Sequence, residues 1–270
     1  MISLARAALH FGEEPCLVGT GGAGAVFFSG CPLHCVFCQN ALISQEMKGR
    51  CLDVRQCAGI FLRLQEEGAV CLDLVSGTPY IPQIIEALDL AKDEGFSIPV
   101  CWNTSAYERR ESLNLLRDYV QIWLPDYKYF LKESAMRYSK APDYPQYADE
   151  AIRCMIDFAG PLEFDEDHLL KKGVVVRILL LPGHLLEAKL ILQRLEKIGR
   201  GKIGVSLMRQ YRPLYKAGEY PEINRCVSDA EYLSLCHDAE LRDFPLISGQ
   251  EKSTDPAATP AFDFTGLPDS

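Results

Sequence analysis

An α/β fold of parallel βα units is what the sequence predicts, and three observations predict it. Short runs of near-continuous apolar character alternate with helical patterns, the helical stretches carry recognisable capping residues, and neither a repeat nor a break in composition divides the chain. The six apolar runs cover 25–28, 70–75, 98–102, 120–124, 174–181 and 203–208. Strands so uniformly apolar are those buried on both faces, as in a parallel sheet under helices. Alternating βα units with right-handed crossovers build either a barrel or an open doubly wound sheet.

Between the runs, Asp53 stands as the N-cap of a helix with Val54, Cys57, Phe61 and Leu64 on one face, and Gly68 lies just past its end. Helical patterns also fit 81–93, 112–117, 146–158 and 185–198, and Ser228-Asp229-Ala230-Glu231 has the capping-box spacing that starts a last helix. From Gly249 the chain turns to Pro, Thr, Asp and Ala without periodicity, which predicts a flexible or loosely packed tail. The expected organisation is an N-terminal segment 1–22, a single core domain 23–248 and a tail 249–270.

The 270 residues include 28 Lys plus Arg and 37 Asp plus Glu, a net charge of −9, with 48% hydrophobic residues. That is ordinary globular composition, and an acidic surface argues against a nucleic-acid or anionic-membrane partner, both of which reward a basic stripe. No uncharged apolar run approaches the ~18 residues of a membrane span. Arg6 interrupts the first apolar stretch and Glu13 and Glu14 follow it, which argues against a signal peptide, so a cytoplasmic chain is expected. In that compartment thiols stay reduced, and clustering among the eleven cysteines points to metal or redox chemistry.

Gly19-Thr20-Gly21-Gly22-Ala23-Gly24 matches the dinucleotide-binding pattern, but that pattern needs a strand before it and a helix after it, and here a strand follows. A turn into the first strand is the better reading. Eight cysteines are scattered and read as small core residues, whereas Cys31, Cys35 and Cys38 form C-x₃-C-x₂-C directly after a strand. A closed zinc site or a ferredoxin-type cluster wants four protein ligands. Three thiolates on one loop instead hold three corners of a cubane and leave one iron open to a ligand. Zinc completed by His10, His34 or Cys16, or a plain Cys-rich turn, are the alternatives, since thiolates suit zinc as well as iron. His34 itself reads as exposed rather than ligating.

With Phe37 just before the last cysteine, the loop resembles the signature of the radical SAM superfamily. His10-Phe11-Gly12-Glu13-Glu14-Pro15, Phe27-Phe28-Ser29-Gly30-Cys31, Cys38-Gln39-Asn40, Asn103-Thr104-Ser105, Leu124-Pro125-Asp126-Tyr127-Lys128-Tyr129, Ala141-Pro142-Asp143-Tyr144, Leu181-Pro182-Gly183 and Met208-Arg209-Gln210-Tyr211 are together similar to the PflX group, relatives of pyruvate formate-lyase activating enzyme. The resemblance implies a partial (β/α)6 TIM-type barrel as a single domain. It also implies a [4Fe-4S] cluster on Cys31, Cys35 and Cys38 whose open iron binds S-adenosylmethionine (SAM), and a reductant such as flavodoxin or ferredoxin.

By the same resemblance, Ser76, Gly77 and Thr78 meet the methionine amino group. Asn103, Thr104 and Ser105, with Asp126 and Lys128, line the rest of the SAM pocket, and Arg177 meets the methionine carboxylate. The acidic residue that often ends the turn at Ser76-Gly77-Thr78-Pro79 is absent, and Asn103 stands where the activating enzyme has Asp. Reactive groups of a (β/α) barrel gather at the C-terminal ends of strands, and Cys31, Ser76, Asn103 and Asp126 each follow a predicted strand. Arg177 lies inside its strand, where a buried charge must be paired, with a barrel acid such as Asp73 as the alternative partner.

The implied activity is reductive cleavage of SAM to a 5′-deoxyadenosyl radical that takes hydrogen from a substrate, with no catalytic side chain required beyond the three cysteines. Activation of a glycyl radical enzyme, or modification of a peptide, is the leading expectation. Six units are fewer than the eight of a closed barrel, so the sheet is expected to stay open to an extended chain. Tyr127, Tyr129, Phe130, Tyr138, Tyr144 and Tyr147 are candidate contacts for such a chain or packed residues. The competing readings are a small-molecule substrate for the same chemistry, and a non-catalytic iron-sulfur or zinc module.

Overall fold

The computed structural model describes residues 1–249 and 260–268. The chain runs through β1 (Ile2–His10), α1 (Pro15–Val18), β2 (Ala23–Phe28), α2 (Ala41–Ser44), β3 (Arg50–Leu52), α3 (Val54–Glu66), β4 (Leu72–Val75), α4 (Ile81–Asp93), β5 (Val100–Thr104), α5 (Arg110–Leu116) and β6 (Ile122–Pro125). It continues through α6 (Lys132–Ser139), α7 (Tyr144–Ala159), β7 (Glu163–Phe164), β8 (Leu170–Leu179), α8 (Leu185–Gly199), β9 (Gly204–Met208), α9 (Asp229–Glu240) and β10 (Leu246–Gly249).

The strands lie in the order β10-β9-β8-β6-β5-β4-β2-β1-β3. Along this order from β2 to β10 every neighbouring pair is parallel, while β1 is antiparallel to both β2 and β3, and β7, off this path, is antiparallel to β8. The six anticipated runs are β2, β4, β5, β6, β8 and β9. The sheet is mostly parallel and unclosed, a partial TIM-type barrel.

Alternation along the strands separates two faces. Leu72, Leu74, Val100, Trp102, Trp123, Val174 and Val176 point into one large core shared with Phe61 and Leu64 of α3, Ile84 and Leu88 of α4, Ile152 and Met155 of α7 and Ile191 and Leu195 of α8. The opposite face is only partly apolar. There Leu17 and Val18 of α1 plug against Cys71, Cys101, Ile122, Leu124 and Val175, and Asp73, Asn103 and Arg177 form a polar layer between the strand ends and that plug. The longer helices, α3 to α9, all pack on the first face, and only the short α1 and α2 lie on the other, which makes the architecture barrel-like rather than doubly wound.

Local signals account for the helix boundaries. Asp53 and Gln56 form a reciprocal capping box at α3, as Ser228 and Glu231 do at α9. The stretch expected at 81–93 is α4 from end to end.

Three features depart from the sequence reading. The N-terminal segment carries an unanticipated strand, β1, which is hydrogen-bonded on both sides within the sheet; Arg6 and three alanines obscured its alternation. Helix α6 has a polar exposed face and short length, which hid its periodicity. Of the tail expected to be loose from Gly249, residues 250–259 and 269–270 lie outside the described residues, but 260–268 are strapped onto β1. Ala7 N–H donates to Thr265 O and Phe264 N–H to Ala5 O, and Phe262 is buried edge-on against Phe27.

Candidate functional site

The strand β2 ends at Phe28, and Ser29 and Gly30, the latter at φ +98°, turn the chain into the cysteine loop. That loop is pinned from two later segments. Val36 N–H donates to Tyr138 O at the end of α6, Val36 O accepts from Lys216 N–H, and the Phe37 ring packs edge-on against Tyr129 and Tyr211. Cys35 is buried and Cys31 and Cys38 half-buried. Ser139 Oγ donates to Cys35 Sγ at 3.0 Å, and Ser44 Oγ lies 3.3 Å from Cys38 Sγ.

Burial pushes the Cys31 thiol up to about 12, and the nearby Cys35 and Cys38 add to the effect. Burial also raises Cys35, opposed chiefly by the Lys128 ammonium. Among the described residues no group of three or more His, Cys, Asp or Glu side chains is arranged to hold a metal ion. His34 is exposed and turned to Gln45, His10 packs against Phe27, and Cys16 lies on α1, so none of them stands as a fourth ligand. Three soft donors on a braced loop, with a cation facing them, fit the cysteine side of an iron-sulfur cluster.

Beside the loop, β4 ends in a strained turn. Ser76 adopts φ +61°, which is uncommon for a residue with a Cβ, and its N–H donates to Asn103 O on the next strand. Gly77 packs so closely that a Cβ there would stand 2.8 Å from Ile84 and from the Trp102 ring. Thr78 Oγ1 donates to Glu108 at 2.7 Å, and Trp102 Nε1 donates to the same carboxylate at 3.1 Å. Glu108 is 3% exposed. Burial raises its pKa, although Thr78, Trp102 and Thr104 work against the rise by hydrogen bonding.

The ends of β5, β6 and β8 meet around one guanidinium. Arg177 Nε donates to Asp126 Oδ1 at 2.8 Å, Nη1 to Glu13 Oε2 at 3.1 Å, and Nη2 to Asn103 Oδ1. Lys128 Nζ reaches the other Asp126 oxygen at 2.6 Å, and Asn103 Nδ2 donates to Asp73 Oδ2. Tyr144 OH braces the arrangement, accepting from Lys128 N–H and facing the Ser105 and Asp126 carbonyls. Burial works to raise Asp126, but Arg177 and Lys128 together hold it below the usual carboxylate range. Burial raises Asp73 and Glu13, and Arg177 only partly offsets it. Asp73 Oδ1 and Glu14 Oε2 are buried with no hydrogen-bond partner.

The structure thus brings the three cysteines, Ser76, Gly77, Thr78, Asn103, Thr104, Ser105, Asp126, Lys128 and Arg177 to one end of the sheet. Arg177 is paired, as its burial required, with Asp126 and Glu13 rather than with Asp73. The aromatic stretch is scaffold: Tyr127, Tyr129, Tyr138 and Tyr144 are buried and pack on one another. Glu13, Glu108 and Ser139 are the residues that the sequence reading left without a role. Only Glu13 had a visible signal, an acidic pair followed by proline on a short loop.

The superfamily profile described as "Radical SAM superfamily" matches residues 25–127. An uncharacterized protein of Methanocaldococcus jannaschii, MJ0674, is 32% identical over 252 residues, spanning 88% of this chain and 67% of the relative. The chain belongs to the radical SAM superfamily, whose members use a [4Fe-4S] cluster and SAM. Among solved structures, SuiB of Streptococcus suis bound to its precursor peptide SuiA aligns with a TM-score of 0.54 at 12% identity, covering 82% of this chain and 47% of SuiB. A second structure of SuiB aligns with a TM-score of 0.52 at 10% identity, covering 85% and 48%. The present chain spans about half the length of SuiB, and the likeness is one of fold. No described helix is long and apolar enough to cross a membrane.

Proposed function

We propose that this radical SAM enzyme acts on a peptide or protein segment, with Cys31, Cys35 and Cys38 as the cluster ligands. The observation that carries the reading is the meeting of the three-thiol loop with the ends of β4, β5, β6 and β8 around Arg177, Asp126 and Lys128. The cluster and SAM, when bound, supply one-electron cleavage of a sulfonium bond and removal of a hydrogen atom from the substrate. The chain's own residues bind, orient and shield.

In this assignment the turn Ser76, Gly77 and Thr78 offers backbone groups to the methionine amino end, held in position by Glu108. Asn103, Thr104, Ser105, Asp126 and Lys128 line the cofactor, and Asp126 is kept ionised by its two cations. Arg177 orients Asn103 and Asp126, and a ligand carboxylate reaching its Nη1 would take the place of Glu13. The unclosed sheet favours an extended substrate, and SuiB, of like fold, is seen with a precursor peptide. Activation of a glycyl radical enzyme, which the resemblance to pyruvate formate-lyase activating enzyme implies, is one form of the same chemistry.

Anaerobic reconstitution tests the ligands. About four iron atoms per chain are expected, lost in Cys31→Ala, Cys35→Ala or Cys38→Ala and kept in Cys16→Ala or Cys57→Ala. Stoichiometric zinc would overturn the assignment. Reduced enzyme with SAM and deuterated candidate partners should place deuterium in 5′-deoxyadenosine from a peptide or protein. Transfer from a small metabolite alone would replace the substrate class and leave the ligands standing.

A further inference from the structure

The cysteine loop is buried on its sheet side, but the two segments that pin it are exposed on their outer side. Residues 131–140 and 211–220 contain five basic residues, Lys132, Arg137, Lys140, Arg212 and Lys216, against two acidic ones, in a chain whose net charge is −9. All five are exposed; Arg137 is ion-paired with Glu222, while among the described residues none of Lys132, Lys140 and Lys216 is held in an ion pair. Interleaved with them are exposed apolar side chains: Leu131, Met136, Leu214 and Tyr215 are 42 to 55% exposed. A cleft of about 680 Å³ lies here, lined by Lys132, Glu133, Met136, Arg137, Pro142 and Tyr220.

The last turn of α6 joins this surface directly to the thiols. Arg137 and Lys140 face outward, while between them Tyr138 O holds Val36 N–H and Ser139 Oγ donates to Cys35 Sγ. Lys216 donates its N–H to the other side of Val36. An apolar patch with a basic rim suits a partner that carries negative charge and docks by steering. It also lies one side chain away from a cysteine sulfur, where an electron must arrive.

We propose that this surface is the docking site of an acidic one-electron carrier protein. The inference rests on the radical SAM reading of the three cysteines. One electron passes from the reduced carrier to the cluster held by Cys31, Cys35 and Cys38; the carrier is oxidised, and no bond forms or breaks in the transfer.

The test compares the reconstituted wild-type chain with Lys132→Glu/Lys140→Glu/Lys216→Glu and with a control of equal charge change on exposed positions of other helices, Arg55→Glu/Lys92→Glu/Lys197→Glu. The probe is a flavodoxin, and its affinity is measured by calorimetry at low and high salt. Carbodiimide cross-links, which join lysines to carboxylates, are mapped by mass spectrometry. The surface variant should bind at least tenfold more weakly and lose the salt dependence, the control should bind within twofold of wild type, and wild-type cross-links should fall on Lys132, Lys140 or Lys216.

Rates complete the test. Flavodoxin-driven SAM cleavage should fall at least tenfold in the surface variant, while cleavage driven by dithionite should be unchanged. Equal flavodoxin affinity in wild type and surface variant, or equal loss in the control, overturns the docking site. Flavodoxin binding that follows the prediction, in a chain that cleaves no SAM with either reductant, upholds the surface and overturns the radical reading instead.

Discussion

The Glu13 carboxylate lies 3.1 Å from Nη1 of Arg177, so a loop from the beginning of the chain closes over a guanidinium carried by β8. Both side chains are nearly buried, at 12% and 11% exposure. With Asp126 on Nε, this one cation balances carboxylates from two different elements. Its removal leaves Glu13 and Asp126 buried beside Asp73, itself already short of partners. Arg177→Met should therefore destabilise the fold by about 3–5 kcal/mol, read as a lower urea midpoint at unchanged slope. Arg177→Lys should recover only part of that, because an ammonium cannot serve three oxygens held in a fork.

Glu108 predicts a pH dependence of unusual sign. Its folded-state pKa lies above the unfolded value, since burial outweighs the hydrogen bonds from Thr78, Trp102 and Thr104. Between the two values the native state holds the extra proton, so this group's contribution to stability falls as pH rises from about 4.3 through the folded pKa. Glu108→Gln should abolish that slope. Glu108→Ala should cost about 3 kcal/mol by leaving Trp102 Nε1 and Thr78 Oγ1 without their acceptor, and should weaken SAM binding through the turn at Ser76.

Glu187 predicts the opposite slope. Burial would raise it, but His184, the Leu131 N–H and the Ser134 hydroxyl hold it below the ordinary value. A depressed carboxylate contributes stability that is complete above its unfolded pKa of about 4.3 and is lost as pH falls through the folded value. Wild type should exceed Glu187→Ala by about 3 kcal/mol at neutral pH. The gap should narrow below pH ~4, as measured by thermal melts across the acid range; a constant gap would sink this account.

The strap at 260–268 should detach as a unit. Gly266 sits at φ +74°, and a Cβ there would stand 1.8 Å from Ala7 O. Gly266→Ala, and separately Phe262→Ala at a cost of about 3 kcal/mol, should release it, seen as rapid proteolysis within the strap while the sheet remains protected. Equal cleavage rates in wild type and Gly266→Ala would mean that the bonds to β1 contribute nothing.

The parts of the fold that were legible in sequence are those written in local pattern. β4 to β6 showed themselves by near-continuous apolar runs, α4 by its periodicity, and α9 by Ser228 and Glu231. The cysteine loop was legible because its three donors are close in sequence. Arg177 announced only that it needed a partner; Glu13, 164 positions away, could not be chosen from among the acids without the fold. Glu108 was invisible for a related reason. A lone Glu after a tyrosine looks solvated until the β5 end and the turn after β4 close over it. In β1 the arginine and alanines gave too little contrast between the faces, although two neighbouring strands settle its place.

The bracing of Val36 bears on the order in which the molecule can be completed. Its N–H is held by Tyr138 and its carbonyl by Lys216, so the cysteine loop is made before either of its supports, both of which follow it in the sequence. A nascent chain on the ribosome exposes Cys31, Cys35 and Cys38 well before either support has emerged. The window for loading these thiols with a metal group in a fixed geometry therefore opens only after Lys216 has emerged. Until then they are open to stray oxidants and to the wrong metal, and the cell must keep them reduced.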